Sequence, residues 1–82
     1  MYTITFTELA EKQLRKLDRQ VQGRVFAVLE RIRTRPEAHI RRLVGLDLYR
    51  LRVGDYRVLL KIDQGKLIIL VVEVGHRSNI YD

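Results

Sequence analysis

A chain of 82 residues with 46% apolar content is long enough for one small domain, residues 1–82, and too short for a second one. The absence of cysteine excludes disulfides and thiolate metal sites, and we find neither a signal-peptide pattern nor an apolar run long enough to span a bilayer. The net charge of +6 comes mainly from arginine, whose guanidinium binds phosphate in a bidentate manner, so nucleic acid is the leading partner class.

The first half of the chain predicts a strand followed by two helices. Residues 2–6 alternate between apolar side chains and threonine, which is typical of a half-buried strand. Thr7 is a suitable N-cap for the first helix and Asp18 for the second, and Pro36 should end the second helix. The apolar stripe of the second helix is Val21, Val25, Val28, Leu29 and Ile32.

The second half predicts a sheet. After a basic connector over residues 37–46, strands are expected at about 47–53, 56–63 and 66–74. Gln64-Gly65 should form a two-residue turn with Asp63 opposite Lys66. The expected architecture is α+β, with an N-terminal strand and a helical hairpin packed on one face of an antiparallel β-sheet.

The first predicted hairpin concentrates positive charge. Arg50 and Arg52 are two residues apart and therefore share a face of the sheet. A two-residue turn at Gly54-Asp55 would place Arg52 directly opposite Arg57. Because like charges in a directly opposed pair destabilise a sheet, the simplest reason for this arrangement is an anionic ligand that neutralises it. Residues 39–61 alone carry +4 of the net charge.

Strict alternation sorts the strands into two faces. The apolar face, which should receive the helices, includes Leu67, Ile69 and Val71. The other face is apolar at its centre and basic on one flank. If alternation continues to the end of the last strand, Val74 and His76 lie on the arginine face.

Five ordered segments carry a family resemblance. They are Leu43-Val44-Gly45, Tyr49-Arg50-Leu51-Arg52, Gly54-Asp55-Tyr56-Arg57-Val58-Leu59, Val74-Gly75-His76-Arg77 and Tyr81. In this order they resemble the RelE-type toxins of the RelE/ParE toxin–antitoxin superfamily, over essentially the whole chain. The resemblance implies a single toxin domain with the RelE-like microbial RNase fold.

The resemblance also implies an activity and partners. RelE-type toxins are ribosome-dependent mRNA endonucleases that cut in the A site and so inhibit translation. They need no metal or cofactor and leave a cyclic phosphate and a 5′-hydroxyl. The implied partners are the ribosome and mRNA, and a cognate RelB-type antitoxin. Toxin and antitoxin can form a heterotetramer that binds operator DNA. The implied location is cytoplasmic, without membrane attachment.

The family pattern assigns roles to individual residues. Tyr81 is implied as the base, and Arg57 and Arg77 as the groups that stabilise the phosphorane. His76 departs from the family pattern and is a candidate acid–base group, because imidazole titrates near neutral pH. The resemblance implies Arg50 and Arg52 as phosphate-binding residues, and Arg42 and Lys61 are further candidates for binding RNA.

Three alternative functions remain open. A ParE-type toxin shares the fold but poisons DNA gyrase, and it typically lacks the full set of catalytic-type residues. A non-catalytic RNA-binding or ribosome-associated module would have the same basic composition. A degenerate toxin would keep the fold without the activity. The joint presence of the basic residues and Tyr81 favours the nuclease.

Overall fold

The computed structural model describes residues 1–45 and 47–76. The elements in chain order are β1 (Thr3–Phe6), α1 (Glu8–Arg15), α2 (Arg19–Ile32), a 3₁₀ turn (Pro36–Ala38), β2 (Arg41–Arg42), β3 (Tyr49–Val53), β4 (Tyr56–Asp63) and β5 (Ile68–His76). One face of a single sheet packs against both helices, which confirms the predicted α+β architecture. Within the described ranges, neither helix is long and apolar enough to cross a membrane.

The sheet is mixed. Its strand order is β1-β5-β4-β3-β2, and three of its four strand pairs are antiparallel. Two of these, β3 with β4 and β4 with β5, were predicted. The exception is β1, which pairs with β5 in parallel, with Thr3 beside Ile68 and Phe6 beside Val71. Sequence alternation predicts which face each residue occupies, but it does not encode the direction of a strand relative to its neighbour.

Both predicted helix caps are present. The Thr7 hydroxyl accepts a hydrogen bond from the Ala10 amide at 3.0 Å and donates one to the Val72 carbonyl of β5 at 2.7 Å. The Asp18 carboxylate accepts from the Gln20 amide at 3.3 Å. Thr7 therefore satisfies an amide at the start of α1 and also ties this helix to β5.

The core lies between the helices and the sheet. Val25, Leu29 and Ile32 of α2 are at most 1% exposed, so the predicted apolar stripe forms the helical side of the core. The sheet side is formed by Leu51, Val53, Val58, Leu60, Ile69, Val71 and Val74. The apolar alternation of β3 and β4 therefore points toward the helices as predicted.

A β-bulge interrupts the pairing of β4 with β5. The register shifts between Leu59 and Leu60, and Val72 is the residue of β5 left out of the pairing. A bulge adds one residue to one strand, so the face of every later residue inverts relative to strict alternation. Val74 consequently pairs with Val58 and lies in the core at 1% exposure. The predicted position of Val74 on the arginine face was wrong.

The turn between β4 and β5 is longer than predicted. Asp63 pairs with Ile68, so the connection comprises residues 64–67 rather than two residues. The Asp63 carboxylate caps the turn by accepting a hydrogen bond from the Lys66 amide at 2.9 Å. Leu67 lies in this turn, is 44% exposed and has a φ of 55°. The prediction that it belongs to the apolar face was wrong.

The conformation of Leu67 leads to a stability prediction. The left-handed region costs an L-residue about 1–2 kcal/mol, and asparagine is enriched there several-fold. Leu67→Asn should therefore raise the free energy of unfolding by about 0.5–1 kcal/mol in urea denaturation. Leu67→Ala is the matched control, because it removes the same apolar side chain and keeps the strain. A Leu67→Asn protein no more stable than Leu67→Ala would show that the conformation carries no such cost.

Candidate nucleic-acid interface

The face of the sheet opposite the helices, called the open face here, carries the predicted arginine cluster. Val53 pairs with Tyr56, and Arg52 lies directly opposite Arg57. The predicted hairpin register is therefore confirmed. Gly54 makes the tight turn possible, because its φ of 59° lies in the left-handed region that glycine adopts without steric cost.

The arginines of β3 and β4 differ in burial. Arg52 is exposed, whereas Arg50 and Arg57 are half-buried and the Nε atom of Arg57 is shielded from solvent. Arg57 pairs on its other side with Gly75, which contributes no side chain to this row of the sheet. A guanidinium whose stem is confined by the sheet loses less freedom when it binds an anion, so Arg57 is suited to a fixed electrostatic role.

Several helix cations are balanced by neighbouring carboxylates. Ion pairs join Lys12 to Glu8 at 3.8 Å, Arg15 to Glu11 at 3.3 Å and Arg33 to Glu30 at 2.7 Å, all within three or four residues. On the open face, by contrast, Arg52 forms no side-chain hydrogen bond or ion pair with any described residue. The Arg52 guanidinium is therefore available to an external anion.

Strand β2 was missed by sequence reasoning. The predicted connector contains a two-residue strand, in which Arg41 pairs with Arg50 and Arg42 pairs with Tyr49. Directly opposed residues share a face, so Arg41 joins the open face while Arg42, expected to bind phosphate, is on the side of Tyr49. Two residues are too few for a periodicity, and no local signal would have revealed the strand.

Lys61 lies away from the arginine cluster. It is on the open face, where its partner is Leu70 of β5, but it is four residues from Arg57 along β4, or about 13 Å. Between the two lies a small apolar cluster of buried Leu43 and Leu59 with half-buried Leu48 and Val72. Lys61 instead lines a shallow cavity of about 460 Å³ with residues of the β4–β5 turn.

His76 is not on the predicted face. It pairs with Tyr56, and the two rings meet edge to face with centroids 5.5 Å apart. Because the bulge inverts the alternation of β5, His76 is on the helix side of the sheet, opposite to Arg57. The expectation that it shares the arginine face was wrong, and only its place beside Arg77 in the sequence still supports a catalytic role.

Glu73 is a residue of the open face that sequence reasoning did not single out. It is half-buried and pairs with Leu59, two residue pairs along the strands from the pair formed by Arg57 and Gly75. The bulge brings this carboxylate to the arginine side. Arg77 and Tyr81 lie outside the described residues. Within the described part of the chain, no three histidine or acidic side chains are grouped as a metal site requires.

The chain was compared with known proteins. A family model described as "ParE toxin of type II toxin-antitoxin system, parDE" matches residues 4–81. Toxin RelG of Mycobacterium tuberculosis is 34% identical over 98% of this chain and 95% of its own length. The chain belongs to the RelE/ParE family of type II toxins. A putative RelE-like toxin protein of Escherichia coli is 33% identical, covering 99% of this chain and 90% of that protein.

The solved structures place the chain on the RelE side of this family. The toxin in the intact E. coli RelBE toxin–antitoxin complex superposes with a TM-score of 0.78 at 31% identity, covering 93% of this chain and 96% of that one. The chain is thus a RelE-type toxin of a RelBE type II toxin–antitoxin system, and the predicted resemblance and fold are confirmed.

Proposed function

We propose that this RelE-type toxin is a ribosome-dependent endoribonuclease that cuts mRNA in the A site. The observation that supports the proposal most directly is the opposed pair of Arg52 and Arg57 on the open face. Two guanidinium groups in register repel each other, and a phosphate between them would turn that repulsion into attraction. RNA presents such a phosphate at every nucleotide.

The proposed reaction is a displacement at phosphorus within the RNA strand. The 2′-oxygen loses its proton to a base and attacks the adjacent phosphorus, the bond from phosphorus to the 5′-oxygen breaks, and that oxygen takes up a proton. The products are a 2′,3′-cyclic phosphate and a 5′-hydroxyl. Positive charge is needed most at the phosphorane, where two negative charges develop, and we assign this role to Arg57 together with Arg77.

The proton transfers need groups other than arginine, which stays protonated in proteins. We assign the base to Tyr81, since a site rich in guanidinium groups would favour its phenolate. His76 remains the candidate acid for the leaving oxygen. Because its ring packs on Tyr56, on the side away from Arg57, it would have to act from the end of the sheet rather than from the arginine face.

The remaining predicted cations are proposed to bind the RNA backbone. Arg52 would share the reacting phosphate with Arg57, and Arg50 would bind the backbone beside it. Lys61, beyond the apolar cluster, would act only through its charge on the strand that leaves the site. Arg42 is the exception among the predicted cations: it lies on the side of Tyr49, away from the arginine cluster, so we assign it no contact with RNA.

A cognate antitoxin of the RelB type is the proposed inhibitor, by analogy with the RelBE complex that this chain resembles. The helix side offers an apolar surface suited to it. Phe26 of α2 is 48% exposed, and its ring meets that of Phe6 edge to face with centroids 5.9 Å apart. The two rings lie between two grooves of about 300 and 270 Å³. An antitoxin that also reaches the open face should be acidic there. Toxin and antitoxin together are proposed to bind operator DNA, and the complex is proposed to be cytoplasmic.

Gyrase inhibition is the second candidate function. It is favoured by one finding, the match to a family model described by the ParE toxin. A gyrase inhibitor would not need opposed arginines directed at RNA, whereas the nuclease does. The identity of about one third to RelE-like proteins and the arginine pair together make the nuclease the better-supported function.

The deciding experiment is a cleavage assay with mRNA, free and in the A site of a programmed ribosome. The wild-type protein should cut only on the ribosome, and Arg77→Ala should lose the activity at unchanged melting temperature. Parallel supercoiling assays with DNA gyrase test the second candidate. Inhibition of gyrase without any RNA cleavage would replace the nuclease with a ParE-type function.

A further inference from the structure

The open face contains a second opposed arginine pair. Arg41 of β2 lies directly opposite Arg50, just as Arg52 lies directly opposite Arg57. Arg50 and Arg52 are two residues apart on β3, so the two pairs form successive rungs on one face, separated by about 6.6 Å along the strand. Three strands, rather than the predicted two, therefore contribute to the cluster.

The two rungs resemble each other in burial. Each pairs one exposed arginine with one half-buried arginine: Arg41 with Arg50, and Arg52 with Arg57. Among the described residues, neither exposed arginine forms a side-chain hydrogen bond or ion pair. Arg41 thus stands to Arg50 as Arg52 stands to Arg57, and it should be able to bind the same kind of group.

An apolar contact holds Arg41 in this position. Leu43, two residues later and therefore on the same face, is 6% exposed and packs with Leu59 of β4. Its amide also donates a hydrogen bond to the Leu48 carbonyl at 3.0 Å. The burial of Leu43 fixes the orientation of β2 on the sheet. The rung of Arg41 and Arg50 can therefore form despite the repulsion between its two guanidinium groups.

We propose that Arg41 is a further phosphate-binding residue of this toxin and that the rung of Arg41 and Arg50 binds the RNA phosphate next to the one at the rung of Arg52 and Arg57. The assignment rests on the proposed RNA substrate. Neighbouring phosphates of an extended RNA strand have a separation similar to that of the rungs, so one strand can occupy both. The rung at Arg57 holds the reacting phosphate, and the rung at Arg41 sets the register of the strand.

The chain offers a matched control for this role. Arg42 is adjacent to Arg41, is also exposed and carries the same charge, but it belongs to the opposite face. Arg41→Gln and Arg42→Gln therefore change net charge identically and differ only in the face that loses a guanidinium. The probe is a short single-stranded RNA with 2′-O-methyl groups, which cannot be cleaved, and its binding is followed by fluorescence anisotropy at several KCl concentrations.

Arg41→Gln should weaken binding about three- to tenfold at low salt and reduce the slope of log K against log[salt] by about 0.7. Arg42→Gln should stay within about twofold of the wild type with a nearly unchanged slope. Equal losses in both variants, or a larger loss in Arg42→Gln, would overturn the assignment of Arg41. Failure of the wild type to bind the free RNA would overturn the assignment of Arg41, whereas the nuclease function is decided separately by the cleavage assay on the ribosome. Binding that depends on Arg41, in a protein that cuts no RNA on the ribosome, would support the rung and reject the nuclease.

Discussion

Arg57→Leu should lower ribosome-dependent mRNA cleavage by about 10²–10³-fold, the loss typical of removing one preorganised electrostatic stabiliser. The same change should leave the melting temperature unchanged or raise it, because it removes the like-charge pair with Arg52. Leucine suits position 57, because this position is half-buried within β4 and has apolar neighbours on both sides in the sequence. Single-turnover cleavage on programmed ribosomes and a thermal melt measure the two effects.

Arg19→Leu is the control for net charge, since Arg19 is an exposed residue of α2 on the other side of the molecule. It should retain cleavage within a few-fold. A large fall in the melting temperature of Arg57→Leu would mean that Arg57 is mainly structural. Equal losses of cleavage in the two variants would mean that only the total charge of the protein matters.

Leu60→Ala should reduce the free energy of unfolding by about 2–5 kcal/mol, the usual range for a fully buried leucine. Leu60 is 0% exposed in the middle of β4 and lies at the bulge, where the register of β5 changes. A domain of this size has only about 5–15 kcal/mol in total, so a large part of its stability should be lost. Urea denaturation followed by circular dichroism measures the change.

Leu9→Ala is the matched control, because Leu9 is 50% exposed on α1 and alanine is the stronger helix former. Its unfolding free energy should change by no more than about 0.5 kcal/mol. If Leu60→Ala cost as little as Leu9→Ala, the core between β4 and the helices could not be the main source of stability.

Much of the candidate site was predictable because its pattern is local. The turn at Gly54-Asp55 specifies a two-residue hairpin, and that turn alone fixes which residues of β3 and β4 face each other. The opposed pair of Arg52 and Arg57 follows directly. The helix caps at Thr7 and Asp18 were predictable for the same reason, since a cap depends on residues within one turn.

The errors occurred where the local pattern was silent. Residues 67–72 form a continuous apolar run, so strict alternation cannot reveal that Val72 is left out of the pairing. The misplacement of Val74 and His76 follows from that one residue. Glu73 was overlooked as a site residue, and the bulge is what brings it to the arginine side. Arg41 was missed because β2 exists only through its pairing with β3.

The sequence by itself determined the α+β class, the apolar faces of the helices and the arginine hairpin, because each depends on spacing along a short segment. The family of toxins was also recognisable from ordered local motifs. The tertiary structure alone decided the parallel pairing of β1 with β5, the bulge in β5 and the pairing of Arg41 with Arg50. These features depend on hydrogen bonds between segments far apart in the chain, and no periodicity within one segment records which distant strand will pair with it.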